Sequence, residues 1–116
     1  MTPFEKYCYN LYPEMLQGLM QTPIQSSLAF GFEVGPGWHP LLLSLFASLP
    51  PETRILQVKE KFGGLRVYAD TTKKGQALLE QAETESYSTC EHCGATENVS
   101  TEGRWLKTLC KACREQ

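Results

Sequence analysis

The residues with the clearest chemical potential lie in the last quarter of the chain, where four cysteines form two CxxC pairs. Cys90 and Cys93 make the first pair, Cys110 and Cys113 make the second, and sixteen residues separate them. Two intervening residues let both sulfurs of a pair converge from one turn, and a second pair completes a tetrahedral shell around a borderline-soft ion. The spacing therefore predicts a structural Zn²⁺ site with four cysteine ligands. Gly94, directly after Cys93, suits the tight turn of the first pair.

Three other interpretations of the cysteines stay open but are less favoured. Iron occupies a similar cage in rubredoxin-like proteins, and a single CxxC pair can act as a redox couple. His92 lies inside the first pair and has the chemistry to replace a sulfur. Two CxxC pairs at this spacing favour zinc and four sulfurs instead. A filled shell leaves no position for water or substrate, so the predicted site is structural rather than catalytic.

No other group of residues forms a recognisable catalytic set. The chain has only two histidines, His39 and His92, and neither lies in a nucleophile motif. Cys8 falls on the apolar stripe of a predicted helix, where a buried, inert thiol is the default. The short glycine segments "GPG" and "GG" lack the length and the lysine of a phosphate-binding loop. We therefore expect a protein that is not an enzyme and has no small-molecule substrate.

The composition is that of an ordinary globular domain. The chain has 116 residues, of which 41% are hydrophobic and 21% charged, enough for one hydrophobic core. The sequence "MTPFEKYCYN" lacks the basic and apolar regions of a signal peptide, and no apolar run is long enough to span a bilayer. We expect a cytoplasmic protein with no membrane partner. Reduced thiols are the rule there, which favours metal binding over disulfides.

Two helical segments are predicted in the first half. Apolar residues recur at helical spacing over residues 3–19, with a break near Tyr12 and a second short helix opened by Pro13. Residues 21–37 are predicted to form a loop, a brief strand at 28–32 and a turn. A second helix has Pro40 in its first turn and ends before Pro50. Its predicted buried stripe consists of Trp38, Leu41, Leu42, Leu45 and Leu49.

A β-hairpin is predicted where two alternating segments flank Gly63 and Gly64, with Gly64 at a positive φ angle. One face of the hairpin is predicted to be apolar and to comprise Leu56, Val58, Phe62, Leu65 and Val67. The opposite face is predicted to carry Lys59, Lys61, Arg66 and Tyr68, a basic patch around an aromatic ring. Thr71 or Thr72 is predicted to cap a following helix whose apolar side consists of Leu78, Leu79 and Ala82.

These elements predict an α+β fold. N-terminal helices pack on a small antiparallel β-hairpin or sheet, a linking helix follows, and a zinc ribbon ends the chain. We place the α+β body at residues 1–89 and the four-cysteine ribbon at 90–116, and we expect the two to form one compact unit.

Charge is distributed unevenly. The net charge is −2, yet residues 54–74 are clearly basic while the segments on either side are acidic. An acidic protein is a poor indiscriminate binder of nucleic acid, because such binding depends on neutralising phosphates. Binding through the basic 54–74 hairpin nevertheless stays open as an alternative function, with lysines on phosphates and Tyr68 stacked on a base.

The segments "QVKEKFGGLRVYAD", "CEHCG" and "GRWLKTLCKAC" carry a family resemblance. Together with Gly37 and Trp38, they resemble a group of small, uncharacterised phage and bacterial zinc-ribbon proteins with a QxKEKFGxLRxY segment and a C-terminal CxxC...CxxC set. The resemblance covers roughly residues 35–113. It implies a zinc ribbon and no particular activity. Small phage proteins of this kind often block host machinery, including CRISPR effectors and transcription complexes.

We therefore expect an interaction protein that binds and modulates or inhibits a host protein or protein complex, in the host cytoplasm if the chain is phage-encoded. Exposed aromatic and arginine side chains dominate binding hot spots. The residues expected to contact the partner are Lys59, Lys61, Arg66, Tyr68, Arg104 and Trp105.

Overall fold

Four helices and five strands form an α+β fold, as predicted, in a computed structural model that describes all 116 residues. The helices are α1 (Pro3–Leu11), α2 (His39–Ser48), α3 (Lys73–Ser86) and α4 (Lys111–Arg114). The strands are β1 (Phe32–Glu33), β2 (Arg54–Lys61), β3 (Gly64–Asp70), β4 (Val99–Glu102) and β5 (Lys107–Cys110). One sheet has the order β1-β2-β3, with β1 parallel to β2 and β2 antiparallel to β3; β4 and β5 form an antiparallel pair. None of the helices has both the length and the apolar character needed to cross a membrane.

Helix α1 begins with reciprocal capping. The Thr2 hydroxyl accepts a hydrogen bond from the Glu5 amide at 3.1 Å, and the Glu5 carboxylate accepts one from the Thr2 amide at 2.8 Å. The helix ends at Leu11, which confirms the predicted break near Tyr12. Pro13, however, opens a turn rather than a second α-helix, and a 3₁₀ helix follows at Gln17–Met20.

A tertiary hydrogen bond explains why the second α-helix is absent. The Ile55 amide donates to the Met15 carbonyl at 2.9 Å, so that carbonyl bonds to the sheet rather than to a continuing helix. Gly18 then lies close against Ser26 and Leu28, which brings the 3₁₀ helix at Gln17–Met20 against that later segment of the chain.

The predicted strand at 28–32 is displaced toward its C-terminal end. Ser26 accepts a hydrogen bond from the Leu28 amide at 3.2 Å and so caps a 3₁₀ helix, Ser27–Phe30. The chain becomes extended only at Phe32, whose amide donates to the buried Glu5 carboxylate at 2.7 Å. Side-chain capping at Ser26 therefore overrides the strand preference of the apolar run.

Helix α2 has the predicted position and supplies much of the core. Pro40 lies in its first turn, and the helix ends before the Pro50–Pro51 pair. The predicted stripe is largely confirmed, since Trp38, Leu42, Leu45 and Leu49 are buried and Leu41 is half-buried. Phe46 is also buried and packs against the Phe32 ring at 5.7 Å between ring centroids, so the buried side of α2 is wider than the stripe alone.

The β2–β3 hairpin is confirmed, but its turn lies one residue earlier than expected. The positive φ angles belong to Phe62 (55°) and Gly63 (84°), and Gly64 is the first residue of β3. The prediction of a positive φ at Gly64 is therefore wrong. Gly64 is required for a different reason, because a Cβ there would collide with the hydroxyl of Tyr87, which follows α3.

An irregularity in the pairing changes which β2 residues face the core. The register shifts between Ile55 and Gln57, so Ile55 points inward and Leu56 is 49% exposed, contrary to prediction. Phe62, also predicted to face inward, is exposed because it lies in the turn. Val58, Leu65 and Val67 are buried as predicted.

Helix α3 is capped by Thr72, whose hydroxyl accepts from the Gly75 amide at 3.0 Å. Leu79 and Ala82 are buried as predicted, and Leu78 is half-buried. Near its end, the Ser86 hydroxyl accepts a hydrogen bond from the Leu65 amide at 2.9 Å. The helix is thereby fixed against β3 just before the first cysteine pair.

Candidate metal centre and its attachment to the body

The four cysteines meet at one point. The sulfurs of Cys90, Cys93, Cys110 and Cys113 all lie within 4.8 Å of one another. The Sγ atoms of Cys93 and Cys110 are 3.7 Å apart, too far for a disulfide and within the range of ligands that share an ion. Cys90 and Cys110 are buried, whereas Cys93 is exposed and Cys113 partly exposed.

The two CxxC pairs have equivalent local geometry. In the first, the Cys93 amide approaches the Cys90 sulfur at 3.5 Å, and in the second the Cys113 amide approaches the Cys110 sulfur at 3.4 Å. Gly94 follows the first pair with φ of 84°, a conformation that suits a residue without a Cβ, as expected for this turn. Amides directed at sulfurs stabilise thiolates, the form that binds metals.

The electrostatics favour a thiolate at one of the four positions. Burial raises the pKa of Cys90, but hydrogen bonds from the backbone at Cys93, Cys110 and His92 outweigh it and bring the pKa to about 6. Burial and the neighbouring thiols raise the pKa of Cys113 to about 12. Binding a divalent cation here therefore displaces protons from the remaining thiols.

These distances fit a zinc ion. Four sulfurs at a Zn–S distance of about 2.3 Å form a tetrahedron with edges of about 3.8 Å. The Cys93–Cys110 separation of 3.7 Å matches that edge. A set of four thiolates also suits zinc better than the harder magnesium or calcium ions, which prefer oxygen. The four cysteines are therefore placed so that they could hold one metal ion.

The first cysteine pair is attached to the loop before α2. The Gly37 amide donates to the Glu91 carbonyl at 2.7 Å, and the Trp38 indole Nε1 donates to the Thr89 carbonyl at 2.8 Å. At Gly37 a Cβ would overlap the Cys90 carbonyl oxygen and approach the Gly94 nitrogen to 2.6 Å. Direct contact between two backbones is therefore possible only because residue 37 is glycine.

The second attachment joins the ribbon strands to the β2–β3 turn. The hydroxyl of the fully buried Thr108 donates to the Gly63 carbonyl and lies 2.6 Å from the Thr101 hydroxyl. The Glu91 amide also donates to the Thr108 carbonyl at 3.0 Å, which links this contact to the first cysteine pair. The metal centre is thus connected to the body at two separate loops.

Arg114 stabilises the ribbon from its C-terminal side. Its guanidinium donates to the Ser100 carbonyl at 2.6 Å and to the Lys107 carbonyl at 2.9 Å, and so bridges β4 and β5. Because these carbonyls belong to the strands around the site, the short α4 helix that carries Cys113 is fixed to both strands.

The predicted partner-binding residues occupy two different settings. Lys59 lies directly opposite Arg66 in the hairpin, and Tyr68 is 43% exposed on the same strand as Arg66. The Arg66 guanidinium forms an ion pair with Glu83 at 3.3 Å and donates to the Tyr87 hydroxyl. Arg66 is therefore engaged with α3, and the hairpin face is less basic than its sequence suggests.

Lys61, Arg104 and Trp105 are exposed, Lys61 beside the β2–β3 turn and the other two in the turn between β4 and β5. Trp105 is 83% exposed, and Lys61 and Arg104 form no ion pair. Of the six residues predicted to contact a partner, Arg66 alone forms an ion pair.

The other residues considered for chemistry lie apart from the metal centre. His92 is exposed within the first cysteine pair, and the four sulfurs do not require it. The His39 ring stacks on Phe4 at 3.7 Å between centroids, and burial lowers its pKa. Burial, with a contribution from Glu5, raises the pKa of Cys8 to about 11, so that thiol stays protonated at neutral pH.

Sequence reasoning missed the two attachments. Trp38 was predicted to be a core residue and Gly63 a hairpin residue, and Gly37 was recognised as part of a motif, but none of them was predicted to contact the cysteine segment. A signal was present, because a glycine beside a tryptophan at a helix start suggests close approach of another backbone segment. The sequence does not indicate which segment approaches, and the structure shows that it is the first cysteine pair.

No family model, curated protein or solved structure matches this chain. The site is therefore interpreted from its own geometry, and the family resemblance stays an expectation from sequence.

Proposed function

We propose that the four cysteines bind one Zn²⁺ in a closed structural site that organises residues 90–116 and holds them on the body. The observation that carries this proposal is the convergence of four sulfurs within 4.8 Å, with one pair at 3.7 Å. Ligands at this spacing fill a tetrahedral shell, so the ion contributes folding energy rather than a reactive position.

On this basis we propose that the protein is not an enzyme and acts by binding. Supporting this, the Cys8 thiol is buried and protonated at neutral pH, and the His39 ring is packed against Phe4. Neither forms a nucleophile and base pair with the other candidate residues. Exposed aromatic and cationic side chains on the ribbon are the features expected of an interaction protein.

The proposed partner is a host protein or protein complex, such as a CRISPR effector or the transcription machinery, in the cytoplasm of a host cell. This part of the proposal is supported by the resemblance of the QVKEKFGGLRVYAD and cysteine segments to small phage and bacterial proteins. The same resemblance is the only support for an inhibitory or modulating role. Affinity capture from host lysate, followed by mass spectrometry, identifies the partner.

The zinc assignment is tested by elemental analysis of protein purified under reducing conditions. We expect one zinc per chain in the wild type and in Cys8→Ser, since Cys8 lies in the core away from the cluster. In Cys110→Ser we expect loss of zinc and of the ordered ribbon. Iron in place of zinc, or an unchanged zinc content in Cys110→Ser, contradicts the assignment.

The amount of protein needed for a full effect on the partner distinguishes binding from catalysis. Once the partner is known, its activity is titrated with the purified protein. A binding protein reaches its full effect near one equivalent. A full effect at a small fraction of an equivalent contradicts the proposal, because it requires turnover.

Nucleic-acid binding through residues 54–74 is the weaker candidate. Two cations of this segment have acidic partners, since Arg66 lies 3.3 Å from Glu83 and Arg54 lies 3.5 Å from Glu14. Electrophoretic mobility shifts with single- and double-stranded oligonucleotides at two salt concentrations test it. Binding that weakens steeply with salt supports this candidate over a protein partner.

A further inference from the structure

Two turns at one end of the molecule expose large apolar side chains that the fold does not use. Trp105 is 83% exposed, Phe62 66% and Leu106 42%. Phe62 lies in the β2–β3 turn, and the other two lie in the turn between β4 and β5. Clusters of exposed aromatic side chains are uncommon on a protein surface without a binding role.

The two turns lie side by side. A Cβ placed on Gly63 would be 2.6 Å from the Thr101 side chain and 3.7 Å from the Leu106 carbonyl carbon. The hydrogen bond from Thr108 to the Gly63 carbonyl fixes this contact. We define the tip surface as six exposed residues in these turns and at the adjoining strand ends: Lys61, Phe62, Arg104, Trp105, Leu106 and Lys107.

The conformation of Phe62 is costly and is not offset by packing. Its φ of 55° lies in the left-handed region, which glycine, asparagine and aspartate adopt more readily than an aromatic residue. Its ring does not join the core, and the Lys61 Nζ lies 5.6 Å from the ring centroid. Neither the turn nor the core explains a phenylalanine here, and such outliers cluster at binding sites.

The unpaired charges around these rings are positive. Two carboxylates border the tip surface, but both have partners: Glu60 accepts a hydrogen bond from the Gly63 amide at 2.7 Å and lies 3.9 Å from the Lys107 ammonium, and Glu102 accepts one from the Ser100 hydroxyl at 2.7 Å. Lys61 and Arg104 form no ion pair. The chain as a whole is acidic. A cationic rim around an aromatic centre complements a segment that carries carboxylates beside an apolar side chain.

We propose that the tip surface is a docking site for an acidic segment of a protein partner, whose aromatic or long aliphatic side chain packs on Phe62 and Trp105. The carboxylates of that segment pair with Lys61 and Arg104. The inference rests on the proposed function as an interaction protein, and it gives that function a surface and a ligand chemistry. Nucleic acid is the less favoured occupant, because the tip surface has only two cations without an ion pair, Lys61 and Arg104, whereas nucleic-acid binding depends on neutralising many phosphates.

The test starts from a display library of short random peptides selected on the zinc-loaded protein. We expect enriched peptides to combine Asp or Glu with an aromatic or leucine residue. One enriched peptide without tryptophan is then titrated while tryptophan emission is followed. Trp38 is fully buried and Trp105 is exposed, so a blue shift and reduced acrylamide quenching report on the tip surface. Trp105→Ala weakens binding about 30-fold, as expected for a central aromatic anchor.

Phe62→Asn separates a binding role from a structural one. Asparagine tolerates the left-handed conformation, so we expect an unchanged or higher melting temperature together with at least about 10-fold weaker peptide binding. Tyr7→Ala is the matched control, since it removes an aromatic side chain that is 56% exposed on α1. It is expected to leave peptide binding unchanged.

Three results overturn the proposal. The first is the absence of any peptide whose binding depends on Phe62 or Trp105. The second is equal binding by lysine-substituted peptides. The third is preferential capture of a random single-stranded oligonucleotide pool by the same residues. If any of these results is obtained with a wild type that holds one zinc per chain, the proposed docking site is wrong and the proposed metal centre still stands.

Discussion

Gly37→Ala tests whether the metal centre depends on its contact with the body. The added methyl group would overlap the Cys90 carbonyl oxygen and lie 2.6 Å from both the Glu91 carbonyl carbon and the Gly94 nitrogen. These are backbone atoms of the metal-binding turn, so no side-chain rotation relieves the overlap. The loop before α2 and the first cysteine pair must move apart.

The expected loss of stability follows from the contacts that break when the loop before α2 and the first cysteine pair move apart. The hydrogen bonds from Gly37 to Glu91 (2.7 Å) and from Trp38 to Thr89 (2.8 Å) are each worth about 1 kcal/mol. Overpacking adds about 1–3 kcal/mol. We expect a free energy of unfolding lower by about 3–5 kcal/mol. For a chain of this size, that lowers the melting temperature by roughly 10–20 °C.

The assay is thermal unfolding of the zinc-loaded variant followed by circular dichroism, with zinc content measured by native mass spectrometry. Gly103→Ala is the control, because it strains a residue with φ of 112° in the exposed ribbon turn and leaves the attachment intact. We expect that control to cost about 1 kcal/mol. A melting temperature for Gly37→Ala within two or three degrees of the wild type, or above that of Gly103→Ala, refutes the close-contact reasoning.

Three further changes probe neighbouring features. Thr108→Val keeps the shape of the side chain but leaves the Gly63 carbonyl unpaired. Chemical denaturation is therefore expected to show a free energy of unfolding lower by about 1–3 kcal/mol, with zinc retained. Zinc loss at unchanged stability contradicts this. Gly64→Val is expected to cost more than about 1 kcal/mol because its side chain meets the Tyr87 ring, and an unchanged melt refutes that contact. Burial raises the pKa of Cys8 to about 11, above the 9.0 of an exposed thiol. The protonated Cys8 thiol therefore contributes its full share to the free energy of unfolding below pH 9, and this contribution declines toward pH 11. Cys8→Ala is expected to reduce that decline, and an identical pH profile in the variant argues against it.

Local patterns in the sequence were sufficient for the secondary structure that depends on neighbouring residues. The helix around Pro40, the cap at Thr72 and the antiparallel hairpin all follow from short-range periodicity and capping chemistry. Some predictions failed because a contact from elsewhere in the chain had intervened. The turn after Pro13 is an example, because Ile55 bonds to the Met15 carbonyl from the sheet.

Register was the second feature that the sequence left undetermined. Alternation alone assigned Leu56 to the buried face, but the irregularity between Ile55 and Gln57 reverses that assignment. A single displaced residue exchanges the two faces of a strand, and nothing local in the sequence marks the displacement. The same holds for Phe62, whose exposure follows from its place in the turn rather than from its hydrophobicity.

The sequence by itself determined that four cysteines share a site, because ligand type and spacing are local properties and zinc chemistry permits few arrangements of two CxxC pairs. Only the tertiary structure decided where that site lies and what it supports. Gly37 meets the backbone of Cys90, and Thr108 meets that of Gly63, across 53 and 45 positions of the chain. Contacts between such distant segments depend on the packing of the whole core, which no local pattern encodes.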